Sequence, residues 1–282
     1  MTYAQREISL QFSDDTQTIS LEGLKVQALV LVPGGINSFA QLELRVWGMS
    51  LAHMERFIST GENMVVLQER SVTLSAGDAG SPIRQAFSGT LVRSFIDFSQ
   101  APDVCFVCSA SAGLYHKAAP AAPNSYKGAH NAEDIIGALA KSIGFGFANN
   151  GAHAVLRNQY LYGSVMNQIQ TVANAAGFAM EVANNSVTIW PNQGFRDAQV
   201  VDVGPDNGMV GYPTFEQAAI VVKTEFNPQI VMGRQIAVTS SIKQANGTWP
   251  VQYVLHELST QEPDGPWFTT VRLAPFLYVA NN

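Results

Sequence analysis

Residues 208–242 run Gly208-Met-Val-Gly-Tyr-Pro213, then Thr-Phe-Glu-Gln217, and on through Phe226-Asn-Pro228 to Ile236-Ala-Val-Thr-Ser-Ser-Ile242. The stretch reads as a turn, a strand, a bend closed by proline and a second strand. Ala218, Ile220, Val222, Thr224 and Phe226 face one way, with Lys223 and Glu225 on the other. A period of two is the pattern of a strand with one buried face. Strands over 235–242, 251–260 and 267–273 follow, with Asn246-Gly247 and Asp264-Gly265-Pro266 as turns.

The first 112 residues show the same period. Ile8, Leu10 and Phe12 alternate with Glu7, Ser9 and Gln11. Leu24, Val26, Ala28 and Val30 share a face, and Ala40, Leu42, Leu44 and Val46 oppose Gln41, Glu43, Arg45 and Trp47. Further strands are expected at 64–75, 84–98 and 103–111. Gly34-Gly35, Gly61-Glu62-Asn63 and Gly77-Asp78-Ala79-Gly80 break the runs. Ser50 caps a predicted short helix to Ile58. So many strands predict a barrel or a sandwich.

Between these parts the pattern changes. Residues 116–128 are rich in Pro and Ala and read as a linker or extended arm. Asn131 caps a helix with Asp134 as its acidic partner, an apolar stripe at Ile135, Ile136, Leu139 and Ile143, and Gly144 as its end. A second helix starts at Ser164 and ends at Gly177, with Val165, Ile169, Val172 and Ala176 on one side. Short strands are expected at 145–148, 154–156, 178–182 and 186–190, with hairpin turns at Asn150-Gly151 and Asn184-Asn185. Residues 118–195 thus read as a small α+β unit.

Composition narrows the function. The 282 residues are 46% hydrophobic and only 13% charged, about half the usual charged share of roughly 25%. Interface cores are depleted in charge, so we expect an obligate oligomer or a part of a larger assembly. The net charge of −6 and the absence of any Lys/Arg run argue against a phosphate-neutralising DNA surface. Mild negative charge would suit a channel through which DNA slides. The aliphatic run from Ala28 to Val32 is stopped by Pro33, far short of the roughly 20 residues that span a bilayer. The first residues have no apolar core, so no signal peptide is expected.

No catalytic constellation emerges, and we assign no catalytic, cofactor-binding or metal-ligating residue. Cys105 and Cys108 are spaced Cys-x-x-Cys, but on a strand they point to opposite faces, and no second pair follows; they read as buried structural thiols. His256-Glu257 lacks the second His of a zinc-protease helix, and His256 reads as a barrel-wall residue. Ser240-Ser-Ile-Lys243 ends a strand, where the Ser-x-x-Lys nucleophile motif needs a helix. Asp202-Val-Gly-Pro-Asp206 lacks the spacing of a calcium loop and reads as a turn. Trp249, Trp267 and Phe268 read as core residues, with interface anchors as the other role.

Two blocks carry a family resemblance. One is Tyr162-Gly-Ser-Val-Met-Asn-Gln-Ile169 with Ala175-Ala-Gly-Phe178 and Val187-Thr-Ile-Trp-Pro191. The other is Gly208-Met-Val-Gly-Tyr-Pro213 with Phe226-Asn-Pro228, Asn246-Gly-Thr-Trp249 and Gly265-Pro-Trp-Phe268. In this order they resemble baseplate hub proteins of tailed bacteriophages, of the tail-tube-related type. The N-terminal part agrees in pattern only, through Gly23-Leu24 and Gln41-Leu-Glu-Leu-Arg45.

The resemblance implies an α+β, mainly β chain: two tail-tube-like β-barrel domains at 1–112 and 200–282, with a linker and small α+β domain at 113–199. It implies a homotrimer whose six barrels form a pseudo-hexameric ring, joining the sixfold tail tube to a threefold spike and letting DNA pass. Implied partners are other copies of the chain, a tail tube or distal tail protein, a spike or tail-fibre protein, and the tape-measure protein in the lumen. The implied place is the tip of the virion tail, after assembly in the host cytoplasm, with no cofactor and no membrane segment. Alternatives are the hub of a contractile secretion machine and a β-rich carbohydrate-binding protein or hydrolase.

Overall fold

A computed structural model describes residues 5–34, 37–59, 69–80 and 82–275. The N-terminal strands are β1 (Arg6–Ser13), β2 (Thr18–Glu22), β3 (Lys25–Val32), β4 (Asn37–Phe39), β5 (Gln41–Trp47), β6 (Ser71–Asp78), β7 (Arg84–Asp97) and β8 (Cys105–Ser111), with helix α1 at Leu51–Phe57. The middle holds α2 (Leu114–Ala118), β9 (Asn124–Asn131), α3 (Ala132–Ser142), β10 (Gly146–Asn149), β11 (Val155–Leu161), α4 (Val165–Ala176), β12 (Phe178–Ala183) and β13 (Ser186–Pro191). The last strands are β14 (Val200–Val203), β15 (Thr214–Glu216), β16 (Ala219–Glu225), β17 (Gln235–Val238), β18 (Gly247–Thr260) and β19 (Trp267–Leu273). The chain is mainly β.

Alternation sets the faces as expected. In β3 and β5 every second residue is buried, from Val26 to Val32 and from Leu42 to Val46. Ile220, Val222 and Thr224 are buried on β16, with Lys223 and Glu225 on its other side. The two β-rich parts form one sheet of 13 strands, in the order β15-β16-β19-β18-β3-β5-β8-β7-β6-β1-β2, with β17 and β14 branching from β18. The seam is the antiparallel pair β3–β18, from Val26↔Thr260 to Val32↔Val254. Gln27 Nε2 reinforces it by donating to both oxygens of Glu262 at 2.8 Å.

The order has two ends, so among the described residues the sheet does not close on itself. It does roll. Arg6 on β1 donates to the carbonyl of Gly265 at 2.8 Å and lies over the ring of Trp267. The two longest strands, β7 and β18, each span 14 residues and each carry a register shift. Such bulges bend and twist a strand locally. The expected strand start at 64 and the break at 61–63 lie outside the described residues.

The middle region packs α3 and α4 against a second sheet, β10-β13-β12-β4. The helix ends follow their sequence signals. Ser50 Oγ accepts from His53 N and Ser164 Oγ from Asn167 N, while Gly177 ends α4 in the left-handed region. Asn131 differs from the expected cap: its side chain donates to Asp134 Oδ2 at 3.0 Å and leaves the helix N–H groups to other partners. Asn184 and Asn185, both at positive φ, form the turn between β12 and β13.

Three expectations need correction. Residues 116–128 are not a plain linker or arm: α2 ends within them and β9 begins at Asn124. The strand at 154–156 is β11, running to Leu161 and paired with β9. Asn150-Gly151 is not a hairpin turn, because β10 pairs in parallel with β13 and not with β11. β4 also crosses from the N-terminal part to join β12 in parallel, Glu181 opposite Ser38.

One buried ion pair ties the second sheet to the C-terminal part. Arg196 binds the Glu181 carboxylate, with side chains only 16% and 4% exposed. It also donates to Met232 O and Thr188 Oγ1, each at 3.3 Å, and lies over the Trp190 ring. Its own N–H donates to Gly233 O, and Gly233 N to Val251 O on β18. Gly233 sits at φ +79°, and a Cβ there would lie 2.6 Å from Trp190 Cζ2. Only glycine fits.

Removing one member of a buried pair strands the other charge. Arg196→Ala is therefore expected to lower stability by about 3–5 kcal/mol, read from urea unfolding midpoints. Arg196→Met combined with Glu181→Leu is expected to recover most of that loss. A single variant as stable as the unaltered chain refutes the clamp.

His256 lies on the buried face of β18, opposite Val30 and Thr269. Its Nδ1 is 2.9 Å from Thr269 Oγ1 and its ring packs edge-on to Phe226. Burial pulls its pKa down from 6.5 to about 4. Above pH 6.5 the imidazole is neutral in both states. As pH falls from 6.5 to 4 the unfolded chain takes up a proton that the folded chain refuses, so stability falls, by up to about 3 kcal/mol. His256→Gln is expected to flatten this part of the stability–pH curve; an unchanged slope between pH 6.5 and 4.5 counts against it.

Candidate functional site

Seven adjacent strands, β16-β19-β18-β3-β5-β8-β7, share a continuous face opposite the core. Cross-strand register fixes its rows. One runs Glu225, Phe268, Glu257, Leu29, Glu43, Ser109, Arg93. A second runs Lys223, Thr270, Leu255, Leu31, Gln41, Ser111. Further rows hold Gln27, Arg45, Val107 and Phe95, then Lys25, Trp47, Cys105 and Asp97. Every row draws on strands from both ends of the chain or from several hairpins, so no short motif announces it. Around Gln27, Leu29, Glu43, Arg45, Arg93 and Phe95 the face encloses a cleft of about 630 Å³.

The charges on this face are mixed. Lys25, Arg45, Arg93, Lys223 and Arg272 alternate with Glu43, Asp97, Glu225 and Glu257. The net −6 of the chain is thus not gathered on this face. Several cations are held by aromatic faces: Lys223 Nζ is 4.1 Å from the Phe268 ring centre, Lys25 Nζ 4.7 Å from Trp47, and Arg93 4.8 Å from Phe95. Lys223 also approaches Glu257 at 3.7 Å. Phe268 therefore lies on the polar face, while Trp267 beside it is buried.

The residues weighed for chemistry lie apart from one another. Cys105 and Cys108 are free and buried, on opposite faces of β8, and burial raises both thiol pKa values. Such thiols stay protonated and inert. Ser240 Oγ accepts from Ile242 N, and its loop is tied by Asn246 on both sides of Ser240. Asp202 and Asp206 are exposed, on β14 and in the turn after it. Among the described residues, no three His, Cys, Asp or Glu side chains gather as metal ligands, and no helix is long and apolar enough to cross a membrane.

Comparison with solved structures places this architecture. A tail protein from Neisseria meningitidis MC58 superposes with a TM-score of 0.65 at 8% identity, covering 96% of each chain. The 43 kDa tail protein of prophage MuSo2 from Shewanella oneidensis gives 0.60 at 10% identity, over 96% of this chain and 97% of that one. An E. coli type VI secretion component, described as similar in structure to T4 bacteriophage tail proteins gp27 and gp5, gives 0.60 at 9% identity, over 95% of this chain and 77% of that one. At these identities the likeness is one of fold. No curated protein matches the sequence. The family model for baseplate hub gp41 matches residues 49–272, from α1 to the end of β19, and the chain belongs to that family of phage baseplate hubs.

Proposed function

We propose that this structural baseplate hub works as three copies closed into a ring, with the polar seven-strand face turned toward a central passage. The observation that carries this is the continuous sheet. One face is core, the other is polar, and among the described residues both ends of the strand order are open. Exposed strand edges promote further pairing and need cover, and a closed assembly supplies it. The low charged fraction of 13% fits subunits covered on several sides.

In this reading the rolled β-rich parts at 1–112 and 200–282 act as two tube-like units, with 113–199 as the smaller unit between them. Six such units in a trimer match a sixfold tube on one side, and the threefold axis matches a spike or fibre on the other. The polar face suits DNA passage. Its cations alternate with carboxylates or sit on aromatic rings, so it has no basic stripe to hold phosphate. The tape-measure protein would reach the same passage. The role is structural and not enzymatic: the weighed Cys, His and Ser groups are buried, apart, or tied into loops.

The E. coli type VI component favours a second reading, the hub of a contractile secretion machine, since that protein shares the fold. Neighbouring genes for a tail tube and a tape measure support the phage role; secretion sheath genes support the other. For the ring itself, light scattering and electron-microscope class averages of the purified chain decide. A threefold ring with a central hole is expected. A compact monomer, even when mixed with tube and spike proteins, overturns the ring.

A further inference from the structure

The β9–β11 ribbon stands apart from both larger sheets. Among the described residues its two strands pair only with each other, so each keeps an open edge. The inner side is anchored on α4, where Leu161 is buried and Asn124 donates to Gln168 Oε1 at 2.8 Å. The outer side is bare: Val155, Tyr160 and Tyr162 are 53%, 64% and 74% exposed, with the two tyrosine rings 6.4 Å apart. Arg157 shares that side and Lys127 lies on the partner strand. Neither has an ion-pair partner among the described residues. The ribbon holds no Asp or Glu. Exposed Tyr and Arg on an acid-free surface are the side chains found at interface centres.

A matching surface exists on the same chain. A cleft of about 1230 Å³ opens between the β1–β2 end of the large sheet and the turn joining β18 to β19. Glu7 and Glu22 line one wall and Glu262 and Asp264 the other, with Leu24 and Ile83 as apolar patches. Arg6, the cation of the cleft, is already engaged with Gly265 O and Trp267. The whole chain has 16 Lys and Arg against 22 Asp and Glu. Leaving out Lys127 and Arg157, 14 cations face those 22 acids, so the ribbon is a basic patch on a chain otherwise at −8.

We infer that the β9–β11 ribbon of one copy seats in the acidic cleft of the next. Lys127 and Arg157 face the four carboxylates, and Tyr160 and Tyr162 rest on Leu24 and Ile83. This rests on the ring proposed above and names the contact that closes it. The contact joins two different surfaces, the kind that propagates around a ring.

Charge reversal tests it on the full chain by light scattering across a dilution series. Lys127→Glu with Arg157→Glu, and separately Glu7→Lys, Glu22→Lys, Glu262→Lys and Asp264→Lys together, are each expected to weaken assembly by at least about tenfold, because like charges then meet. All six changes in one chain restore opposite charges and are expected to restore assembly, with thermal melts confirming that every variant is folded. A ring indifferent to both reversals, or a folded sixfold variant that stays monomeric, overturns the ribbon contact and leaves the ring standing. An unaltered chain that never assembles removes the ring itself.

Discussion

The antiparallel seam between β3 and β18 is the constraint on which the rest of the molecule depends. It joins positions as far apart as Gln27 and Glu262, separated by 235 residues. Without it the N-terminal and C-terminal parts would each present a long open edge. With it, Val26, Ala28, Val30 and Val32 meet Thr260, Leu258, His256 and Val254 on one buried face. The polar face then runs unbroken across seven strands.

The middle region depends on the same seam through two short connections. β4 leaves the end of β3, joins the second sheet beside β12 for three residues, and returns as β5. Ser38, at its centre, is completely buried and donates to Pro33 O at 2.5 Å. On the other side, Arg196 and Gly233 fasten β12 and β13 to β18. The second sheet is thus held from both halves of the chain. Its core is continuous with that of the large sheet, in one apolar cluster.

Local signals in the sequence describe this fold well, and pairings over long distances do not. The faces of β3, β5 and β16 follow from a period of two, and the ends of α1 and α4 from Ser50, Ser164 and Gly177. β9, Asn-Ser-Tyr-Lys-Gly-Ala-His-Asn, has no apolar alternation, because the ribbon it forms buries little. β4 is too short to show a period, and its partner β12 lies far along the chain. The polar face and the acidic cleft are assembled from strands at opposite ends of the chain, so spacing along the sequence conceals them. The pairing of Arg196 with Glu181 had no local sign, since neither residue sits in a recognisable motif. What the middle and C-terminal parts do carry is the order of their turn and aromatic segments, and it pointed to the hub family.

The seam also sets a schedule. More than 200 residues separate β3 from β18, the strand that covers its edge, so that edge leaves the ribosome well before its cover. At typical synthesis rates of about 5–20 residues per second, more than 200 residues take tens of seconds at the slower end of that range. Over that interval the nascent chain carries an edge able to pair with a neighbouring copy on the same message. A truncated product can never cover it. The fold therefore discriminates by chain length: only a subunit translated through β18 covers that edge of β3.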